Sequence, residues 1–182
     1  MTDAQDGDDD DATLRAESYP LDPIDAQLLN ELQADAKISL KKVGERVGLS
    51  APAVMERVRK MEKAGVVLGY HAKIDAQRVG VDVAAFIGVQ IGDPRKLASF
   101  EGWVDDHPQV LECHHVTGGM TLLLKVRVRN TRALEALISA IRGLDGIDGT
   151  ETMVVLSTYA ERVPVLLDPP ADDDARRRRR RR

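Results

Sequence analysis

Cysteine is nearly absent from this sequence: Cys113 is the only one in 182 residues. No intrachain disulfide can form, and neither paired thiolates nor a multi-cysteine zinc site is available, which fits a reducing compartment. Long apolar runs are absent too. Nowhere do roughly 18 apolar residues follow one another, and the opening MTDAQDGDDDD has neither a basic start nor an apolar run. A soluble, cytoplasmic protein with no membrane partner is therefore expected. No glycine-rich phosphate loop opens a helix, and no nucleophile, base and orienting group fall at a motif spacing. The expectation is a protein that is not an enzyme and uses no cofactor.

What is present is enough apolar sequence, 43% of the chain, to bury a core in one domain or two. The formal net charge of −4 hides a strong unevenness. Up to Pro20, seven acids stand against Arg15, a net of −6; from Asp168 onward, four aspartates stand against the seven arginines Arg176 to Arg182, a net of +3. Both ends, residues 1–20 and 166–182, are expected to be disordered tails. Between Lys37 and Lys63, eight bases meet three acids, a local +5. That window, more than the whole chain, points to a polyanionic partner.

Three short helices are predicted inside it and just before it. LDPIDAQLLNELQADA opens with Asp22 as N-cap, Pro23 in the first turn and Asp25 beside it, and carries Ile24, Leu28, Leu29 and Leu32 on its apolar stripe. Asp25, Gln33 and Asp35 are assigned to its polar side. SLKKVGERVG follows with Ser39 as cap, Leu40, Val43 and Val47 inward, and Gly48 as the stop. LSAPAVMERVRKMEKAG starts at Ser50, tolerates Pro52 in its first turn, buries Val54, Val58 and Met61, and ends at Gly65. Helix, Gly48-Leu49-Ser50 turn, helix is the spacing of a helix-turn-helix, whose second helix enters the DNA major groove. The expected contacts to double-stranded DNA are Ser39 and Lys41 on the second helix and Ser50, Ala51, Pro52, Glu56, Arg57 and Lys60 on the third. A plain three-helix bundle with a solvated charged face is the alternative, and the basic skew argues against it. GVVLGYHAKID, in the span 67–80, reads as a small wing or a linker strand.

This stretch, from Leu21 to the Gly69-Tyr70 after the third helix, resembles the Lrp/AsnC family of transcriptional regulators, and the resemblance runs on to about Val163. Downstream, VDVAAFIGVQI is an apolar strand; DPRKLASFEGWVDDHP is a helix capped by Asp93 with Leu97, Phe100 and Val104 inward. QVLECHHV and TLLLKVRVRN flank Thr117-Gly118-Gly119-Met120 closely enough to form an antiparallel pair. In the second of them Leu122, Leu124, Val126 and Val128 face one way, and Leu123, Lys125, Arg127 and Arg129 the other. TRALEALISAIRGLDG is amphipathic, and GTETMVVLSTYA is a last strand. The order βαββαβ is ferredoxin-like. The fold class expected is thus α+β: an N-terminal (winged) helix-turn-helix domain over 21–66, a linker strand over 67–80 and a C-terminal ferredoxin-like domain over 81–165.

Helices on one side of four strands leave the other sheet face bare. The resemblance implies that a second subunit covers it, giving a homodimer with two reading helices, and that dimers assemble further, up to octamers. It also implies that the glycine turn between the second and third strands, here Thr117, Gly118, Gly119, Met120 and Thr121, lies at a subunit contact and takes an amino acid or related small-molecule effector. Gly118 matches the family's glycine, but Gly119 and Thr121 stand where many members carry aspartates that can accept from an ammonium group. Backbone groups and the Thr121 hydroxyl remain to hold a ligand, so an apolar or weakly bound one is expected, or a plain hairpin turn. Cys113, His114 and His115 read like metal ligands in a row, but strand alternation sends His114 to the opposite face, and no metal is expected. Two other functions are weighed. One is an architectural protein that coats DNA with little preference; the other is an enzyme like the sirohaem decarboxylases, which resemble this two-domain plan, but HHVTGGMTLLL lacks the aromatic-rich haem-pocket sequence.

Overall fold

A computed structural model describes residues 19–167, in two compact units: 19–72 together with 162–167, and 73–161. The two expected tails fall outside the described residues apart from their inner ends.

The first unit is built on three helices, α1 (Pro23–Ala34), α2 (Leu40–Val47) and α3 (Ala51–Lys63). Each starts where a short polar side chain can take an orphan amide: Asp22 accepts from Asp25 N, Ser39 from Lys42 N and Ser50 from Ala53 N. Gly48 ends α2 at φ 73°, a left-handed conformation that glycine adopts without strain. The amide of Leu49 then turns back to the carbonyl of Gly44 at 2.9 Å, which makes the bend between α2 and α3 tight. Leu28, Leu29, Val43, Val54, Val58 and Met61 form the core. Three features differ from expectation. Asp25, assigned to the wet side of α1, is buried, with 5% of its surface exposed. The span 67–80 forms no strand; it is irregular up to a 3-10 turn at Gln77–Val79. Its β-rich composition meets no ladder partner, and Leu68 and Ile74 stand 92% and 63% exposed instead of packing on a sheet. At the last described residues, Leu167, expected to lie in a tail, packs on this core, and the Gln33 side chain bonds both the amide and the carbonyl of Val165, while Leu166 between them is exposed.

The second unit runs β1 (Val83–Ile91), α4 (Leu97–Asp105), β2 (Val110–His115), β3 (Leu122–Val128), α5 (Thr131–Arg142) and β4 (Ile147–Val154). The sheet order is β2-β3-β1-β4 with every neighbouring pair antiparallel, the ferredoxin-like arrangement. Asp93 caps a 3-10 turn at Pro94–Lys96 that leads into α4. Ala85, Ile87 and Val89 of β1 and Leu122, Leu124, Val126 and Val128 of β3 pack against Phe100, Leu134, Leu137 and Ile141 of the two helices. Alternation then puts Phe86, Gly88, Leu123, Lys125 and Arg127 on the face away from the helices, as expected for β3. Within this unit that face is bare of helices.

Candidate nucleic-acid interface and glycine loop

A surface for a duplex must be read from α3, and burial fixes its faces. Val54, Val58 and Met61 are buried, while Pro52, Met55, Glu56, Arg59, Lys60, Lys63 and Glu62 are exposed. With 3.6 residues per turn, Pro52, Glu56, Arg59 and Lys63 lie along the centre of the outward stripe, with Met55 and Lys60 on its two flanks. Of the expected contacts on this helix, Pro52, Glu56 and Lys60 lie on the outward surface; Ala51 is half-buried at its rim. Ser39 and Ser50 spend an acceptor lone pair on the capping bonds, at 3.3 and 3.4 Å, and each hydroxyl keeps its proton free to donate. Lys41 is exposed. The Lys60 ammonium stands 5.9 Å from the ring centre of Tyr19, within cation–π range. Met55, Arg59 and Lys63 were not singled out from the sequence, although the i, i+3, i+4, i+7 and i+11 spacing from Pro52 marks them.

Arg57 differs from expectation. It belongs to the other stripe, with Val54, Val58 and Met61 at i−3, i+1 and i+4, and its side chain is 34% exposed. Its Nη1 donates to Asp22 Oδ2 at 2.5 Å and to Asp25 Oδ1 at 2.7 Å. Burial tends to raise the Asp22 carboxyl, but the Asp25 amide and the Arg57 guanidinium hydrogen-bond to its ionised form and hold it below the usual value. The two acids in turn hold the arginine above its own. A guanidinium shared between two carboxylates brings no net positive charge to a phosphate. Arg46 is likewise paired with Glu31 of α1. Among the described residues Lys37, Lys41, Lys42, Arg59, Lys60 and Lys63 form no ion pair.

The glycine loop closes the β2–β3 hairpin. Val116 N donates to Thr121 O at 3.1 Å and Thr121 N to Val89 O at 2.9 Å, so the loop is pinned to β1 at its exit. Thr117, Gly118 and Gly119 are exposed, and Gly118 has φ 120°, where a side chain is strained. Met120 folds its side chain over Gly88, leaving no space there for a β-carbon. Thr121, expected as the remaining side chain for a ligand, has its hydroxyl engaged: it accepts from Ile91 N at 3.0 Å and lies 3.4 Å from Ile91 O as donor. The reason is tertiary: Thr121 stands just before β3, beside the end of β1, 30 residues away in sequence. Open space at Gly118 and Gly119 is the loop's remaining feature.

Cys113 and His115 lie opposite Leu124 and Leu122 on the helix-facing side, and His114 lies opposite Leu123 on the other. Burial raises the Cys113 thiol. On the bare face Lys125 bonds Glu112 at 2.9 Å and reaches Glu161 at 3.3 Å, while Arg127 meets Glu161 at 3.6 Å. Glu112 is held low by its hydrogen bonds to Lys125 and His114. These charges partner one another.

Known proteins share this plan. The AsnC-type helix-turn-helix domain matches residues 21–62, and the Lrp/AsnC ligand binding domain matches residues 84–165. The chain is similar to the HTH-type transcriptional regulator LrpA of Mycobacterium tuberculosis, 36% identical over 78% of this chain and 95% of that one. It is similar to the HTH-type transcriptional regulator FL11 of Pyrococcus horikoshii, 32% identical over 78% of this chain and 93% of that one. Among solved structures, the feast or famine regulatory protein of M. tuberculosis complexed with L-methionine superposes with TM-score 0.73 at 36% identity, over 78% of this chain and 95% of that one.

Proposed function

Since the chain belongs to the Lrp/AsnC family of transcriptional regulators, we propose that it binds double-stranded DNA with α3 in the major groove and regulates transcription there. The observation that carries this is the outward stripe of α3: Pro52, Glu56, Arg59 and Lys63 in line, Met55 and Lys60 beside them, and no ion pair on any of its cations among the described residues. Small and apolar groups at the N-terminal end permit close approach to base edges, Arg59 suits a guanine, and Lys60 and Lys63 suit phosphates. Lys41, with the free hydroxyl protons of Ser39 and Ser50, supplies backbone contacts around the α2–α3 turn. Residues 21–66, with 162–167 returning to them, are the DNA-binding domain in this reading and 81–161 the assembly and effector domain. The bare sheet face around Phe86 and Leu123 suits a second copy of the chain, which would give the two reading helices that a pseudo-palindromic site needs. An amino acid is the effector class favoured by the methionine complex of the M. tuberculosis relative. In this chain the loop would hold such a ligand through main-chain groups at Gly118 and Gly119. The protein acts by binding, in the cytoplasm, and not by catalysis.

The test is a titration of the full chain against a duplex selected from a random pool, followed across salt concentrations. Lys63→Ala should reduce the magnitude of the slope of log K against log salt by about one, and Arg59→Ala should cost about 1 to 3 kcal/mol on the selected duplex and relax the preference at one base pair. Unchanged binding in both variants refutes the placement of α3. Equal affinity for selected and random duplexes would point instead to a low-specificity architectural protein.

A further inference from the structure

We infer that Arg57, held by Asp22 and Asp25, is a positioning residue that sets the reading helix for sequence selection and does not itself contact DNA. This rests on the proposed role of α3 and deepens it.

The geometry is a three-residue lock between helices that start 28 residues apart. Asp22 uses one carboxylate oxygen to cap α1, taking the Asp25 amide at 2.7 Å, and the other to take the Arg57 guanidinium at 2.5 Å. The same nitrogen of Arg57 reaches Asp25 at 2.7 Å. The capping bond that starts α1 and the tie that holds α3 therefore share one side chain. Asp25 is the one charged or polar residue in the buried set of the described residues, and Arg57 is its ion-pair partner. A buried carboxylate left without its cation is costly, so the pair has one favoured arrangement, and α3 can neither roll nor slide against α1 without breaking it. Base discrimination depends on side chains placed to within a fraction of an ångström. Attraction to phosphate does not.

Charge and position separate this role from a DNA contact. The cluster of two carboxylates and one guanidinium has a net charge of −1, so it attracts no phosphate. Arg57 lies on the α3 stripe that carries Val54, Val58 and Met61, away from the line of Pro52, Glu56, Arg59 and Lys63. A positioning role consequently predicts an inverted sign: removing a negative charge from the cluster, which by electrostatics alone favours DNA, should impair selection.

The decisive variant is Asp22→Asn. Asparagine caps a helix about as well as aspartate, so α1 keeps its start while Arg57 loses one anion. Binding of the full chain is measured to the selected duplex and to a random duplex, each across salt, for the unmodified protein, Asp22→Asn, Arg57→Ala, Arg57→Lys and the control Lys63→Ala. The expected result for Asp22→Asn is a fivefold or greater fall in the ratio of selected to random affinity, with random-duplex affinity unchanged or higher. Arg57→Ala should lower the ratio further with its salt slope intact, and Arg57→Lys should recover part of it. The inference is overturned if Asp22→Asn keeps the ratio, or if Arg57→Ala flattens the slope as a phosphate contact would. If Arg57→Ala does not fold, Asp22→Asn decides alone. Should Lys63→Ala leave the slope unchanged, the placement of α3 in DNA fails, and this inference falls with it; a flattened slope there beside a kept ratio in Asp22→Asn refutes the positioning role only.

Discussion

Two mid-helix glycines should respond to alanine with opposite signs. Gly44 lies in α2 and Gly102 in α4, and in isolation each replacement by alanine favours the helix by about 1 kcal/mol. At Gly102 a β-carbon meets nothing within 4 Å, so that gain should appear. At Gly44 it runs into the backbone carbonyl oxygen of Leu49, with the Leu49 carbonyl carbon 3.3 Å away. This obstacle cannot rotate aside, because the Leu49 amide is bonded back to Gly44 O at 2.9 Å and Ser50 next to it caps α3. Overpacking of a fixed site costs up to about 3 kcal/mol. Set against the gain in helix propensity, the net loss is about 2 kcal/mol. For a unit of this size that lowers the melting temperature by roughly 8 to 16 °C. Circular-dichroism melts of Gly44→Ala and Gly102→Ala in the full chain measure both signs at once. A Gly44→Ala protein that melts with or above the unmodified chain would refute the claim that glycine is required for the α2–α3 approach.

Two further outcomes are expected. Tyr70 donates to Glu62 at 2.9 Å, and desolvation together with that carboxylate pushes its phenol up to about 12. Because the folded value lies above the unfolded one of about 10, the stabilisation is complete below pH 10 and is lost as pH rises from there to 12; ultraviolet titration should find one tyrosine ionising late, and Glu62→Gln should bring it earlier, with an unmoved titration counting against the contact. In the glycine loop, calorimetry on the unmodified chain should find no micromolar binding of an acidic or basic amino acid, while Gly119→Asp, which has open space for its carboxylate, should gain affinity for an amino acid's ammonium group; tight binding of a charged amino acid by the unmodified chain would contradict the loop as described.

Local rules made most of the fold legible. Caps at Asp22, Ser39, Ser50 and Asp93, stops such as Gly48, and apolar periods of about 3.6 and 2 depend on neighbours within one turn or one strand. They placed all five helices and all four strands, although the last strand, read to Ala160, ends at Val154. What the sequence hid is pairing across distance. The span 67–80 has strand composition, yet a strand also needs an edge to join, and that is a property of the rest of the fold. The Thr121 hydroxyl looked free because nothing local tells that Ile91, 30 residues earlier, ends beside it.

The charge of the 37–63 window repeats the lesson in a form that bears on function. Its +5 counts Arg46 and Arg57 as available, but their anions, Glu31, Asp22 and Asp25, all lie outside the window on α1. A second signal was present and unread: Val54, Arg57, Val58 and Met61 fall at i, i+3, i+4 and i+7, the spacing of a buried stripe, and an arginine on such a stripe demands an acid from another helix. Asp25, three residues after a capping Asp22 and one residue before buried Ala26, was the available acid. Taking those two arginines out leaves Lys37, Lys41, Lys42, Arg59, Lys60 and Lys63, with no ion pair among the described residues. The basic skew therefore survives as evidence for a polyanion, while its centre moves from Arg57 to the Arg59–Lys63 end of the helix, where a duplex would meet cations that form no ion pair among the described residues.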